Sequence, residues 1–432
     1  MASTLLTQVR SLRCLEAGWR NVRTNGLASK AEIVRKEIQK FDEDPARNLR
    51  SLKSRLGHGS FKFPPARGVP IPKPGKKDIR PIVLADVETR IVQRAILDVL
   101  QGIEALQPFF RNPHSFGGIK RQKDEPLAAV PAAISAVLGA IGDGGRYVVC
   151  ADISGFFTRI SKSTVGDIIG AAVGDDEFIS FFRQAIHVEL SNLAHLREYA
   201  DRFPTEDIGV AQGSALSPLL GNIILAAFDK QMNEGDCRCI RYIDDFIVLG
   251  PSGRAVMARL RLAKQILGGL GMSFALDKTS PNAIPVTDSF EFLGIELHNG
   301  FIRPAGRART KFLTTLRATF EQGRKALIGY RNGQPLPKSD ALLGTLKKAD
   351  GMIQGWGKHY RFCNDQRCFE TLDIELAQLI RDYLGFYSDE RRKALVARAP
   401  AMLGVEMLAS IERTPFEWPK ALKAGSAELD VA

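Results

Sequence analysis

The chain has 432 residues, 44% of them hydrophobic and 25% charged, and carries a net charge of +12. Such a chain buries a sizeable core over two or three domains and is not disordered. It has no run of eighteen apolar residues and no signal-type leader, which predicts a cytoplasmic protein with no membrane partner. The charge is unevenly spread: Lys and Arg against Asp and Glu number 20 to 10 in residues 1–100, 18 to 23 in 101–300 and 19 to 10 in 301–400. Basic ends around an acidic middle suit flanks that grip phosphate and a centre that holds metal. Cys237, Cys239, Cys363 and Cys368 lack paired metal spacing, so the six cysteines are read as reduced thiols.

In chain order, Leu5, Leu6, Val9, Leu12, Leu15, Trp19 and Val22 have helical spacing. They are read as a docking helix, with an Arg-rich targeting peptide as the alternative. Residues 31–38 form an amphipathic helix, and Phe61-Lys62-Phe63-Pro64-Pro65 opens an extended stretch. Residues 71–82 read as a β-hairpin with a Gly75-Lys76-Lys77 tip, whose basic side chains either meet a triphosphate or are simply solvated. Residues 86–106 are a helix with Ile91, Ala95, Ile96, Val99 and Ile103 on its core face. A glycine turn follows at Ser115-Phe116-Gly117-Gly118, and Arg146-Tyr147-Val148-Val149-Cys150-Ala151-Asp152 is a buried strand ending on a carboxylate. After Phe156-Phe157, the loop Gln212-Gly213-Ser214 runs into an apolar helix over 219–232 that backs the sheet.

The centre of the chain is Arg241-Tyr242-Ile243-Asp244-Asp245-Phe246-Ile247-Val248-Leu249, a hairpin with both carboxylates at its tip. Adjacent carboxylates repel unless a cation neutralises them, so a divalent-metal site is expected, with a surface turn as the bland alternative. Leu276-Asp277-Lys278-Thr279 and Phe290-Glu291-Phe292-Leu293-Gly294-Ile295 come next. Beyond residue 301 the pattern turns helical, at about 307–324, 338–359 and 369–384. The tail from Ser388, with Arg391-Arg392-Lys393 and Phe416-Glu417-Trp418-Pro419, matches no known pattern.

These ordered blocks resemble the bacterial reverse transcriptases of the group II intron, retron and defence-associated branch, over roughly residues 30–385. The resemblance implies an α+β right-hand polymerase fold. N-terminal helices and fingers would occupy 1–145, a palm of antiparallel sheet backed by helices 146–300, a helical thumb 301–387 and a C-terminal extension 388–432. It implies two Mg2+ ions, with Mn2+ as a substitute, held by Asp152, Asp244 and Asp245 with the backbone carbonyl of Ile153. Arg80, and less directly Lys76, fall where the family clasps the nucleotide triphosphate. Phe157 falls at the steric gate against a 2′-hydroxyl, and Gln212-Gly213 lies beside the template–nucleotide pair. Lys278 stands where relatives carry a proton donor to pyrophosphate, with a turn-capping lysine as the alternative; Phe292-Leu293-Gly294 resembles the primer grip. Residues 112–121 resemble a template-touching segment or a solvated glycine turn. Gly355-Trp356 and Tyr360 resemble a thumb motif whose aromatics either pack or stack on bases.

The expected activity is RNA-directed DNA polymerisation from dNTPs on an RNA template, a structured noncoding RNA, yielding a DNA product. With no endonuclease, Cas1-like or RNase H-like region in view and no retron signature, the resemblance is best to the defence-associated enzymes acting against phage. Asn192-Leu193-Ala194-His195 resembles a retron motif only in composition, being in the wrong place. A maturase-like RNA-binding protein and a template-independent or protein-primed DNA synthesiser are the alternatives. A homo-oligomer or accessory defence proteins stay open as further partners.

Overall fold

The computed structural model describes residues 4–73, 75, 78–118, 127, 129–406, 408 and 411–416. Lys76 and Lys77 of the hairpin tip, 119–121 of the glycine-turn segment and Trp418-Pro419 lie outside the described residues. The chain divides into two compact units, Met1–Leu293 with Leu297–Gly300, and Gly294–Glu296 with Phe301–Ala432.

The first unit begins with helices Thr4–Val9, Leu12–Leu27, Glu32–Phe41 and Pro45–Gly57. The N-terminal apolar stripe is therefore two helices. They part at Ser11, whose hydroxyl caps the second by accepting from the Cys14 amide, a contact worth about 1 kcal/mol. Leu15, Trp19 and Val22 are buried, and this helix packs on Val87–Leu100. The latter starts at Asp86, whose carboxylate accepts from the Thr89 amide, and stops at Leu100, short of the expected 106. Gly102 follows and Ile103 turns extended (φ −90°, ψ 121°); Ile103 packs against the core partly buried, and Leu106 is fully buried.

Strands β1 (Arg67–Pro72) and β2 (Ile79–Leu84) pair antiparallel as the expected hairpin, Ile71 opposite Arg80. Lys73 Nζ closes it on Asp78 at 2.5 Å. The Asn192 amide group bonds both the N–H (2.8 Å) and the carbonyl (2.9 Å) of Gly68, so the segment with a retron-like composition serves as an edge partner to β1.

The second sheet has β3 (Tyr147–Asp152) at its centre, in the order β4 (Arg238–Tyr242), β5 (Asp245–Gly250), β3, β6 (Ile284–Pro285), all antiparallel. Val148, Val149, Ala151 and all of β5 beyond Asp245 are buried, which explains continuous apolar runs in place of alternation. Helix Gly253–Gly269 packs against β3 and β5. The backing helix expected over 219–232 is two, Ser217–Ile224 and Ala226–Met232, interrupted at Leu225 (φ −92°, ψ 5°).

The division between the units falls within a three-strand meander, β7 (Phe290–Phe292), β8 (Ile295–His298) and β9 (Phe301–Pro304). The second unit packs helices Gly306–Arg331, Leu342–His359 and Gln366–Lys393 around Leu316, Phe320, Leu327 and Tyr383. The third helix runs nine residues past the expected 384, through residue 387 to Lys393. Trp356 stacks on Phe312 at 4.5 Å and meets Tyr360 at 4.5 Å, so these aromatics pack within the unit. Among the described residues no helix is long and apolar enough to cross a membrane.

Candidate active site

β4 and β5 are joined by a two-residue turn, Ile243-Asp244, with Tyr242 opposite Asp245. Ile243 has φ +60°, an uncommon conformation for a β-branched residue that costs about 1–3 kcal/mol. Antiparallel register sets Asp152, the last residue of β3, opposite Asp245. The Ile153 amide donates to the Asp244 carbonyl at 2.9 Å, which ties the end of β3 to the turn. Two strands and one turn thus bring Asp152, Asp244 and Asp245 together, with ligand atoms all within 4.8 Å of one another.

The electrostatics are those of a crowded anionic site. Burial first, then the charge of Asp152, holds the Asp244 carboxyl above its ordinary range. Burial, the Asp244 charge and a hydrogen bond with Asp152 push Asp245 up to about 7. Lys278 Nζ lies 2.6 Å from Asp152 Oδ2; burial pulls its pKa down, but the bond to Asp152 and the three negative charges outweigh that and raise it. The side chain stays 53% exposed, against 5% for Asp152. Clustered carboxylate oxygens are the donor set hard divalent cations take, so these residues fit Mg2+. Among the described residues they form the one converging group of three or more His, Cys, Asp or Glu.

The other expected residues fall around this centre to differing degrees. Val83 of β2 donates to the Gln212 carbonyl at 3.0 Å and Ile82 bridges Gln212, so the hairpin carrying Arg80 is docked on the Gln212-Gly213 loop. Arg80 is exposed on that hairpin. Gly213 has φ +118°, and a Cβ there would stand 3.2 Å from the Val83 carbonyl, so its glycine permits close approach to β2. Phe156 is buried whereas Phe157 is half-buried, and the Phe157 carbonyl accepts the Val210 amide at 2.8 Å, two residues before Gln212. Phe292 is buried, and Leu293 (φ +54°) with Gly294 (φ +77°) makes the turn into β8.

A family model described as reverse transcriptase (RNA-dependent DNA polymerase) matches residues 71–297, just over half of the chain and all three aspartates. The chain belongs to the reverse transcriptase family. It is 27% identical over 292 residues to protein YkfC of Escherichia coli (strain K12), covering 58% of this chain and 71% of that one. It is also 27% identical over 216 residues to the group II intron-encoded protein LtrA of Lactococcus lactis subsp. cremoris, covering 49% of this chain and 32% of LtrA. The chain thus spans about a third of that second relative. Among solved structures, apo telomerase from Candida tropicalis, truncated from the C-terminal domain, aligns with TM-score 0.39 at 13% identity, over 56% of this chain and 55% of that one. A chain of a partial Cas6-RT-Cas1–Cas2 complex aligns with TM-score 0.35 at 19% identity, over 62% and 43%.

Behind the carboxylates of this reverse transcriptase lies a network that the sequence reading did not assign. Arg241 is fully buried, and Asp229 is 2% exposed. The Arg241 Nε and a terminal N–H donate to the two Asp229 oxygens at 2.7 and 2.6 Å. Its other terminal nitrogen donates to the Ile243 carbonyl at 2.9 Å. Asn222 Oδ1 accepts from Arg241 (3.2 Å) and from Ser115 Oγ (3.1 Å), and Asn112 donates to Asp229 at 2.7 Å. Breaking one side of such a buried pair costs about 3–5 kcal/mol, because the partner charge is stranded. One sequence signal was available: Arg241 interrupts an apolar strand, and a buried strand charge requires a counter-charge.

Proposed function

We propose that the protein is an RNA-directed DNA polymerase that builds DNA from dNTPs, templated by a dedicated structured noncoding RNA, in cytoplasmic antiphage defence. The convergence of three carboxylates within 4.8 Å, in a chain of this family, carries the polymerase reading; the defence role rests on the resemblance of its motifs. In this reading residues 1–145 are helices and fingers, 146–300 palm and 301–387 thumb, whose last helix continues to Lys393 into the extension of 388–432. Asp152, Asp244 and Asp245, with the Ile153 carbonyl, would hold Mg2+, whose chemistry is to acidify a primer 3′-hydroxyl and neutralise triphosphate charge. Arg80 contributes fixed positive charge toward the triphosphate, joined by Lys76. Lys278 holds a proton at Nζ for the departing pyrophosphate, and its exposure leaves it free to swing from Asp152. Phe157 presents a ring edge to the sugar, Gln212-Gly213 flanks the nascent pair, and Phe292-Leu293-Gly294 holds the primer end.

A second reading, an RNA-binding partner of a group II intron, is favoured by the similarity to LtrA, named as such an intron's encoded protein. One experiment separates them. The RNA that co-purifies from the native host is sequenced, and primer extension with dNTPs and Mg2+ is compared for wild type and Asp244→Asn/Asp245→Asn. The expected result is extension by the wild type alone, at least about 10³-fold above the folded double variant, since charge-stabilising groups of this kind are worth that much. Full synthesis by the double variant would sink the assignment of the aspartates, and an intron as the dominant bound RNA would favour the second reading.

A further inference from the structure

Resting on the polymerase reading, we infer that the Arg241–Asp229 pair is a positioning device for the metal-binding turn. The turn has two internal carbonyls, and each is pinned from a different side. The Ile243 carbonyl accepts from the Arg241 guanidinium at 2.9 Å, and the Asp244 carbonyl from the Ile153 amide at 2.9 Å. Those two bonds set both peptide planes flanking Asp244, and therefore the direction in which its carboxylate leaves the backbone.

The pinning suits an arginine. A guanidinium donates in a rigid planar fork, so two nitrogens along one edge engage Asp229 while the remaining nitrogen reaches Ile243; an ammonium has no such fixed geometry. Gly117 closes the turn from outside: a Cβ there would stand 2.5 Å from Ile243 Cγ1 and 2.9 Å from the Ile243 nitrogen. The segment carrying Gly117 pairs with β4 through the Phe116 amide to the Arg241 carbonyl (3.0 Å) and the Arg241 amide to the His114 carbonyl (2.8 Å). Through Ser115 and Asn112 the same segment also reaches Asn222 and Asp229. The strained Ile243 conformation is thus over-determined, which is the condition for keeping it.

A buried pair is not in itself needed for stability, since well-packed apolar replacements of similar volume are often neutral or stabilising. That separates positioning from folding. The variants are Arg241→Lys, and Arg241→Met combined with Asp229→Leu. Each is measured for thermal unfolding without divalent ions, for Mn2+ binding by calorimetry without nucleic acid, and for kcat and dNTP KM on a defined RNA template and DNA primer. The expected result is folded variants whose Mn2+ dissociation constant rises about tenfold or more, in the range seen when groups supporting metal ligands are removed. kcat should fall about 10²-fold, as for a catalytic group displaced by about 1 Å, with dNTP KM little changed. Folded variants with wild-type Mn2+ affinity and kcat would overturn the inference. So would failure of both to fold, which would make the pair a structural requirement. A wild-type protein that neither binds Mn2+ nor incorporates dNTPs would instead overturn the polymerase reading on which this rests.

Discussion

Phe157 illustrates how one side chain separates two roles that look alike in sequence. Its neighbour Phe156 is 2% exposed and packs into the main core, while Phe157 leans on Phe156 at a ring distance of 5.2 Å and stays half-buried. On the proposed reading the half-buried Phe157, five residues after Asp152, is a filter on the 2′-hydroxyl. Phe157→Val is therefore expected to raise ribonucleotide use relative to deoxynucleotide use by at least about tenfold, the lower end of steric pocket discrimination. Competition between dNTPs and rNTPs in primer extension measures it, and unchanged selectivity would make Phe157 a packing residue. For Lys278 the sequence leaves two roles open, capping a turn and serving the chemistry. Its amide closes a turn on the Ala275 carbonyl at 3.0 Å, while its ammonium pairs with Asp152 at 2.6 Å; the proposed reading gives that side chain the second role.

At the level of elements, the helix Leu12–Leu27 lies so close to Val87–Leu100 that a Cβ on Gly18 would stand 2.9 Å from the Ile91 carbonyl oxygen. Backbone cannot retreat as a flexible side chain does, so Gly18→Ala must push the helices apart. The expected loss is about 1–3 kcal/mol, as for other overpacked cores, read by chemical denaturation. A variant as stable as wild type would mean the pair re-docks at no cost. The hairpins were legible because turn residues and alternating or continuous apolar runs are local properties. Helix ends were less so: nothing local in the apolar stripe of 219–232 marks the break at Leu225, nor in the third long helix of the second unit its run to Lys393.

For the whole molecule, the proposed reading makes the distribution of charge the main determinant of nucleic-acid affinity. The first hundred residues and residues 301–400 each carry about twice as many basic as acidic side chains, whereas 101–300 are net acidic. Binding to structured RNA should then weaken steeply with salt, the log–log slope growing by roughly 0.7–0.9 per phosphate neutralised. Lys311, exposed on the helix Gly306–Arg331, is a fitting probe. Lys311→Ala is expected to reduce the slope by about one and to weaken all RNAs alike, because phosphate contacts carry no sequence information. Filter binding across a salt series checks this, and a salt-insensitive affinity would remove the electrostatic account.

From sequence alone, the identity of the chemistry was within reach. Charge repulsion between the two aspartates of the turn suggested a metal site or a bare surface turn, and it was the resemblance of the ordered blocks to a known family that named the chemistry. What only the tertiary structure decided is how those carboxylates are held. Arg241 and Asp229 are twelve residues apart, Ser115 and Asn222 are 107 apart, and Lys278 and Asp152 are 126 apart. An arginine in a strand reads as a solvated charge until the fold removes its water, and only then must a buried partner and a backbone carbonyl take up its donors.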